Sequence, residues 1–164
     1  MAALVWLMQE RLLFYPPPAA PRPAPPEGWR LEEMRLPREA GIELAGVLLL
    51  PPVDRPPLVI YFGGNAEEVS WTLSDARWPR AWTIIGVNYR GYGASEGVPG
   101  EAALTSDALA IYDAAAKRPD IDPSRIVVFG RSLGTAIAAY FIASANASPM
   151  AFLSIGAAFC NSAT

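Results

Sequence analysis

The chain has no histidine and a single cysteine, Cys160, among its 164 residues. One cysteine excludes an internal disulfide. A lone thiol without any imidazole leaves nothing from which to build a zinc-like cluster. The carboxylates are scattered along the chain, so no metal cage is expected, and nothing calls for a cofactor. Cys160 lies in an apolar tail and reads as a small core residue rather than a nucleophile. Positive charge is not in excess: 13 Lys and Arg stand against 16 Asp and Glu, for a net charge of −3. Without a basic stripe, nucleic acid is not an expected partner. Long apolar runs are also missing. The N-terminal run M-A-A-L-V-W-L-M, Met1 to Met8, is closed by Gln9-Glu10-Arg11. A bilayer span needs about 20 residues, and the run lacks the basic leader and cleavage site of a secretory signal. It reads equally as an interfacial helix or the end of an anchor, and as a greasy helix packed on a domain.

Proline is abundant where charge is scarce. Charged residues make up 18% of the chain and hydrophobic ones 52%, while Pro16 to Pro26 is dominated by proline. That stretch reads as a stiff, extended linker. The expected organisation is an apolar segment over 1–15, a linker over 16–27 and one folded domain over 28–164, starting near Gly28. A single domain of this size can bury a real core.

The most informative stretch is Arg125 to Ala139, R-I-V-V-F-G-R-S-L-G-T-A-I-A-A. A strand-like run, Ile126 to Phe129, enters Gly130-Arg131-Ser132-Leu133-Gly134, and a small-residue helix pattern follows at once. This is G-x-S-x-G in the strand–turn–helix setting its chemistry requires. A serine at so sharp a turn sits in a strained backbone conformation above the sheet edge. Gly130 and Gly134 occupy positions where a Cβ would crowd the turn. The backbone N–H of Leu133 would form half of an oxyanion hole. A second match, Gly93-Ala94-Ser95-Glu96-Gly97, is followed by Pro99 and Gly100 rather than a helix. It reads as a polar turn.

The rest of the chain alternates strands and helices. Leu31 to Arg35 and Ile42 to Leu50 form a hairpin, and Leu58 to Phe62 is a central strand buried on both faces. Gly63-Gly64-Asn65 follows, then a helix pattern beginning near Glu67 with Val69, Leu73 and Ala76 on one face. The glycine pair lets backbone approach a ligand, so this loop is the candidate second half of the oxyanion hole; the competing reading is a plain turn with Asn65 capping the helix. Trp82 to Val87 is another strand. Arg90 in the glycine-rich loop beyond it reads as a structural brace, paired with Glu96, or as an anion contact. Glu101 to Lys117 is a helix with Leu104, Ala108, Ile111 and Ala115 in one stripe. The elbow helix runs to about Ser144, with Ala136, Ala138 and Ala139 allowing close approach to the sheet. Met150 to Ile155 is one further strand. The pattern is that of an α/β fold, a mostly parallel sheet with flanking helices, ending after about the sixth strand. Ligands of such sheets bind at the carboxyl ends of the strands, where both Asn65 and Ser132 fall.

Three segments, F-G-G-N-A-E-E, N-Y-R-G-Y-G-A-S-E-G and D-P-S-R-I-V-V-F-G-R-S-L-G-T-A, resemble the α/β-hydrolase superfamily, most closely its Bem46-like branch of ABHD13- and ABHD17-like proteins. The resemblance covers roughly residues 31–143. Gln9 to Pro16, Q-E-R-L-L-F-Y-P, is similar to the segment that follows the apolar anchor in that branch. The resemblance implies an α/β-hydrolase fold, Ser132 as nucleophile, and Leu133 with Asn65 or Gly64 as oxyanion donors. It implies a small-molecule acyl ester or thioester substrate, lipids included, and membrane association through residues 1–15; otherwise the protein would be cytoplasmic. The family's usual H-G-N is here Gly63-Gly64-Asn65, and Asn88 stands where an acidic residue is usual.

The family's catalytic Asp and His follow later strands, and no residue of this chain matches either. A serine hydroxyl without its base is a poor nucleophile. Losing that base costs on the order of 10⁶ in rate. The chain therefore reads as the front part of a hydrolase, inactive alone. Two alternatives share the fold: a serine peptidase of the aminopeptidase or prolyl-oligopeptidase type, and a non-catalytic binding module that keeps the pocket.

Overall fold

The computed structural model describes residues 13–21, 24–74 and 78–144, together with the backbone of 152–156. The expectations for Met1 to Met8, Ala76 and Cys160 lie outside the described residues.

Strands β1 (Arg30–Pro37) and β2 (Glu43–Leu50) form the expected hairpin, with Arg30 opposite Leu50 and Pro37 opposite Glu43. A single 3-10 turn, Glu39–Gly41, joins them. The central strands β3 (Leu58–Phe62), β4 (Thr83–Val87) and β5 (Ile126–Arg131) are mutually parallel, and β6 (Phe152–Gly156) runs parallel to β5. The six-stranded sheet has the order β1-β2-β4-β3-β5-β6. Among the described residues, three helices follow the parallel strands: α1 (Val69–Leu73), α2 (Glu101–Ala116) and α3 (Leu133–Ser144).

Strand periodicity decides how the layers form. Along β3, Leu58, Ile60 and Phe62 face one core with Leu104, Ala108, Ile111 and Ala115 of α2 and Ile137, Ala138 and Phe141 of α3. Val59 and Tyr61 face the opposite core with Val69 and Leu73 of α1. Successive side chains of a strand point to opposite faces, so a run that is apolar at every position must be covered on both sides. That is why L-V-I-Y-F lies at the centre. Ala138 is buried as expected, whereas Ala136 and Ala139 face outward.

On the N-terminal side of the fold, Pro17 and Pro18 of the expected linker lie against the glycine-rich loop after β4. Gly93 N donates to Pro17 O at 2.9 Å, Pro18 forms a parallel bridge with Gly93, and Phe14 packs on the main core. Proline cannot donate a backbone hydrogen bond, but its carbonyl still accepts one. A proline-rich stretch can therefore lie against a loop that has a free N–H.

Candidate active site

Everything around Ser132 follows from forcing β5 into α3 without a connecting loop. Ser132 is the one residue between them and adopts φ +50, the left-handed region that costs a non-glycine residue about 1–2 kcal/mol. The turn is held by Thr135, whose N–H donates to Ser132 O at 2.9 Å and whose hydroxyl donates to Gly130 O at 3.2 Å. The two flanking glycines are sterically required. A Cβ on Gly130 would stand 2.2 Å from Gly134 O, and one on Gly134 would stand 2.0 Å from Phe62 O. The close approach of α3 to β3 lifts Ser132 to the surface, where it is exposed.

The β3 loop comes alongside. A Cβ built on Gly64 would lie 3.6 Å from Ser132 Cβ, so the glycine-rich loop and the elbow share one site. The assignment of Gly64 N–H as an oxyanion donor needs correction, because it is already bound. Gly64 N donates to Glu67 Oε2 at 2.7 Å. Glu67 is buried, accepts from Tyr61 OH at 2.7 Å and from the Thr72 hydroxyl, and pairs with Arg131 at 3.4 Å. Both carboxylate oxygens are occupied by donors, which suits an anchor for the loop and not a free base. Tyr89 OH donates to Gly63 O at 2.7 Å. Burial holds the Tyr89 and Tyr61 hydroxyls well above the ordinary tyrosine value, so both remain donors.

Asn65 also differs from expectation. Its side chain does not cap α1; the N–H of Val69 donates instead to Asn88 Oδ1 at 3.0 Å. Asn65 Nδ2 donates to Leu13 O at 2.6 Å, while Asn65 Oδ1 accepts from Tyr15 N at 2.9 Å and Tyr92 OH at 2.6 Å. The amide thus pairs with the N-terminal backbone much as a neighbouring strand would. Its side chain is a tie between the β3 loop and the N-terminal segment. Leu133 opens α3, and the first N–H groups of a helix lack intrahelical partners and favour negative charge. An anion forming beside Ser132 would meet that helix end.

The second G-x-S-x-G copy is structural. Ser95 is buried; its Oγ accepts from Ala45 N at 2.9 Å and donates to Asn88 O at 2.8 Å, locking the loop after β4 onto β2. Arg90 is a brace, as its surroundings suggested, but Glu96 is not its partner. Arg90 Nε reaches Asp107 Oδ2 at 2.7 Å and its Nη2 reaches Glu39 at 2.5 Å, while Arg38 approaches Asp107 from the other side at 2.8 Å. Glu96 accepts from Glu43 N. Sequence reasoning missed Glu67, Tyr92 and the role of Asn88. The E-E pair behind Gly-Gly-Asn was the available signal for Glu67, since a glutamate three residues beyond a tight turn can reach back to its N–H groups.

A mixed sheet in this order, with a serine at a left-handed turn between its fifth strand and the following helix, defines an α/β hydrolase, and the chain belongs to that superfamily. No protein-family model matches the sequence. It is 37% identical over 146 residues to the α/β hydrolase domain-containing protein WAV2 of Arabidopsis thaliana, covering 84% of this chain and 47% of that protein. Among solved structures, an α/β hydrolase from Vibrio vulnificus matches with a TM-score of 0.62 and 29% identity, over 75% of this chain and 44% of that one. The esterase Pf2001 of Pyrococcus furiosus matches with a TM-score of 0.60 at 17% identity, over 80% of this chain and 54% of that one, a likeness of fold. These likenesses support the superfamily rather than one branch of it. The chain spans about half the length of the curated relatives it matches, 47% and 49% in two cases.

Proposed function

We propose that Ser132 is the nucleophile of a serine hydrolase acting on acyl esters or thioesters, with the developing oxyanion held by the backbone N–H groups of Leu133 and Asn65. The observation that carries this reading is the strained φ of +50 at Ser132, on a turn against which Gly64 of the β3 loop is packed. Strain of this kind persists where the surrounding structure over-determines it, and such residues cluster at functional sites.

The chain has no histidine, and Glu67 is fully engaged. Acyl transfer at full rate therefore needs a base from outside these 164 residues. With the oxyanion donors alone, a residual acceleration of about 10³ to 10⁴ over water is expected. The direct test is labelling by a small fluorophosphonate, read by peptide mass spectrometry. Slow modification at Ser132, lost in Ser132→Ala, is the expected outcome. Labelling spread over other serines at equal rates overturns the assignment. Rapid p-nitrophenyl acetate turnover abolished by Ser132→Ala would instead overturn the need for an external base. The missing histidine also favours a second reading, a binding module that keeps the pocket without turnover; it predicts ligand binding with no labelling at all.

No described helix is long and apolar enough to cross a membrane. Association through residues 1–15 is proposed on the apolar run Met1 to Met8 and on the exposure of Leu13 and Tyr15. Flotation with lipid vesicles, lost on deleting residues 1–15, tests it.

A further inference from the structure

A cavity of about 350 Å³ opens beside the nucleophile, between the N-terminal ends of α2 and α3. Leu13, Phe14, Leu104, Leu133, Ile137 and Tyr140 line it. It begins at Leu133, the residue immediately after Ser132. The polar side chains in its wall are Thr105, Glu101 and the exposed Tyr140, and the backbone N–H of Leu133 lies at its Ser132 end. Thr105 Oγ1 is turned back onto its own helix, 2.9 Å from Glu101 O and 3.0 Å from Ala102 O, and Glu101 lies exposed at the rim. The rest of the lining is apolar, which favours an apolar occupant.

One wall of this cavity is not part of the sheet-and-helix body. Leu13 and Phe14 come from the N-terminal segment, and what holds them is the Asn65 amide, bonded to Leu13 O and Tyr15 N, with Tyr92 OH closing the arrangement. We propose that this cavity takes the hydrocarbon chain of the substrate, and that Leu13 and Phe14, positioned by Asn65, set the chain length it accepts. That the chain is the acyl part of an ester rests on the reading of Ser132 above; the cavity's preference for an alkyl chain does not. The Asn65 side chain would thereby act through the N-terminal segment, as a positioning residue.

The test measures binding, which needs no catalytic base. Straight-chain alkanoates from butanoate to dodecanoate displace a fluorescent dansyl-undecanoate from the full chain, and the affinity of each is recorded. Affinity is expected to rise about fourfold per methylene while carbons enter the cavity, then to level off. Ala136→Trp places a large side chain on an exposed cavity-lining position and is expected to lower dodecanoate affinity at least about tenfold, with an unchanged melting temperature. Asn65→Ala is expected to remove the levelling-off, so that longer chains keep gaining. A merely structural Asn65 would lower all affinities by one factor and leave the length profile as it was; that outcome overturns its positioning role. Equal affinity for butanoate and dodecanoate, or no effect of Ala136→Trp, overturns the cavity. So does a dimer in gel filtration that Ala136→Trp disrupts without any alkanoate binding, which would assign this face to a second copy. Alkanoate binding without fluorophosphonate labelling keeps the cavity and refutes the nucleophile; labelling without length-dependent binding does the reverse.

Discussion

Replacing Gly134 by alanine should be among the most damaging single-methyl additions in the protein. The new Cβ would lie 2.0 Å from Phe62 O, 2.5 Å from the Phe62 carbonyl carbon and 2.7 Å from Gly63 O. Non-bonded heavy atoms sit about 3.5–4.0 Å apart, so α3 would have to withdraw from β3 by more than about 1 Å. All three clashing atoms are backbone of the central strand and its loop, and no side-chain rotation can relieve them. The withdrawal would loosen Ile137, Ala138 and Phe141, which are all buried against the sheet. Overpacking typically costs about 1–3 kcal/mol, and a backbone-on-backbone clash belongs at the upper end or beyond. Alanine's better helix propensity returns at most about 1 kcal/mol. The net cost is therefore at least about 2 kcal/mol, or roughly 4–8 °C in melting temperature for a domain of this size. Gly41→Ala is the control. Gly41 has φ +73 but nothing within 4 Å of its would-be Cβ, so only the backbone strain of about 1–2 kcal/mol applies. Urea unfolding followed by tryptophan fluorescence gives both numbers. A Gly134→Ala variant no less stable than Gly41→Ala would refute the argument that close helix–strand approach is what builds the elbow.

Ser132→Gly should raise stability by about 1 kcal/mol, because glycine tolerates φ +50 where serine is strained, while Ser132→Ala should be close to neutral; thermal melts of the pair distinguish strain from lost contacts. Asp107→Ala should cost about 3–5 kcal/mol in chemical denaturation, since it strands the buried Arg90 and the largely buried Arg38 without their shared carboxylate. Tyr61, Tyr89 and Tyr92 all have hydroxyls pushed above the ordinary value of 10.0, chiefly by burial. Their neutral form is the folded form, so the stability they lend is complete below pH 10 and is lost as pH rises through the higher folded values. Absorbance at 295 nm should show these three ionising only with alkaline unfolding, and a full six-tyrosine titration near pH 10 in the folded state would contradict it.

Much of the architecture was legible because it depends on local patterns. The apolar runs at Leu58–Phe62 and Thr83–Val87, the stripe through Leu104, Ala108, Ile111 and Ala115, and the glycines around Ser132 each state a periodicity or a steric need that neighbours in sequence can satisfy. The burial of both sheet faces follows from those patterns, whereas the order β1-β2-β4-β3-β5-β6 is set by tertiary packing. The partners of charged and amide side chains did not. Arg90 chose Asp107 and Glu39 over the nearer Glu96, because the fold turns Glu96 towards Glu43 N and brings a buried aspartate from α2 beneath the guanidinium.

The sequence by itself determined the alternation of strands and helices, the elbow at Ser132 and the absence of an imidazole base, since each is a property of residues adjacent in the chain or of composition. Only the tertiary structure decided what surrounds the serine. Gly64 surrenders its N–H to Glu67, and Asn65 turns its side chain to the backbone of Leu13 and Tyr15. Hydrogen-bond partners in a loop are chosen by which groups the sheet brings within about 3 Å, and the Asn65–Leu13 pair is separated by 52 residues. No local pattern carries information over that distance; the packing of the sheet does.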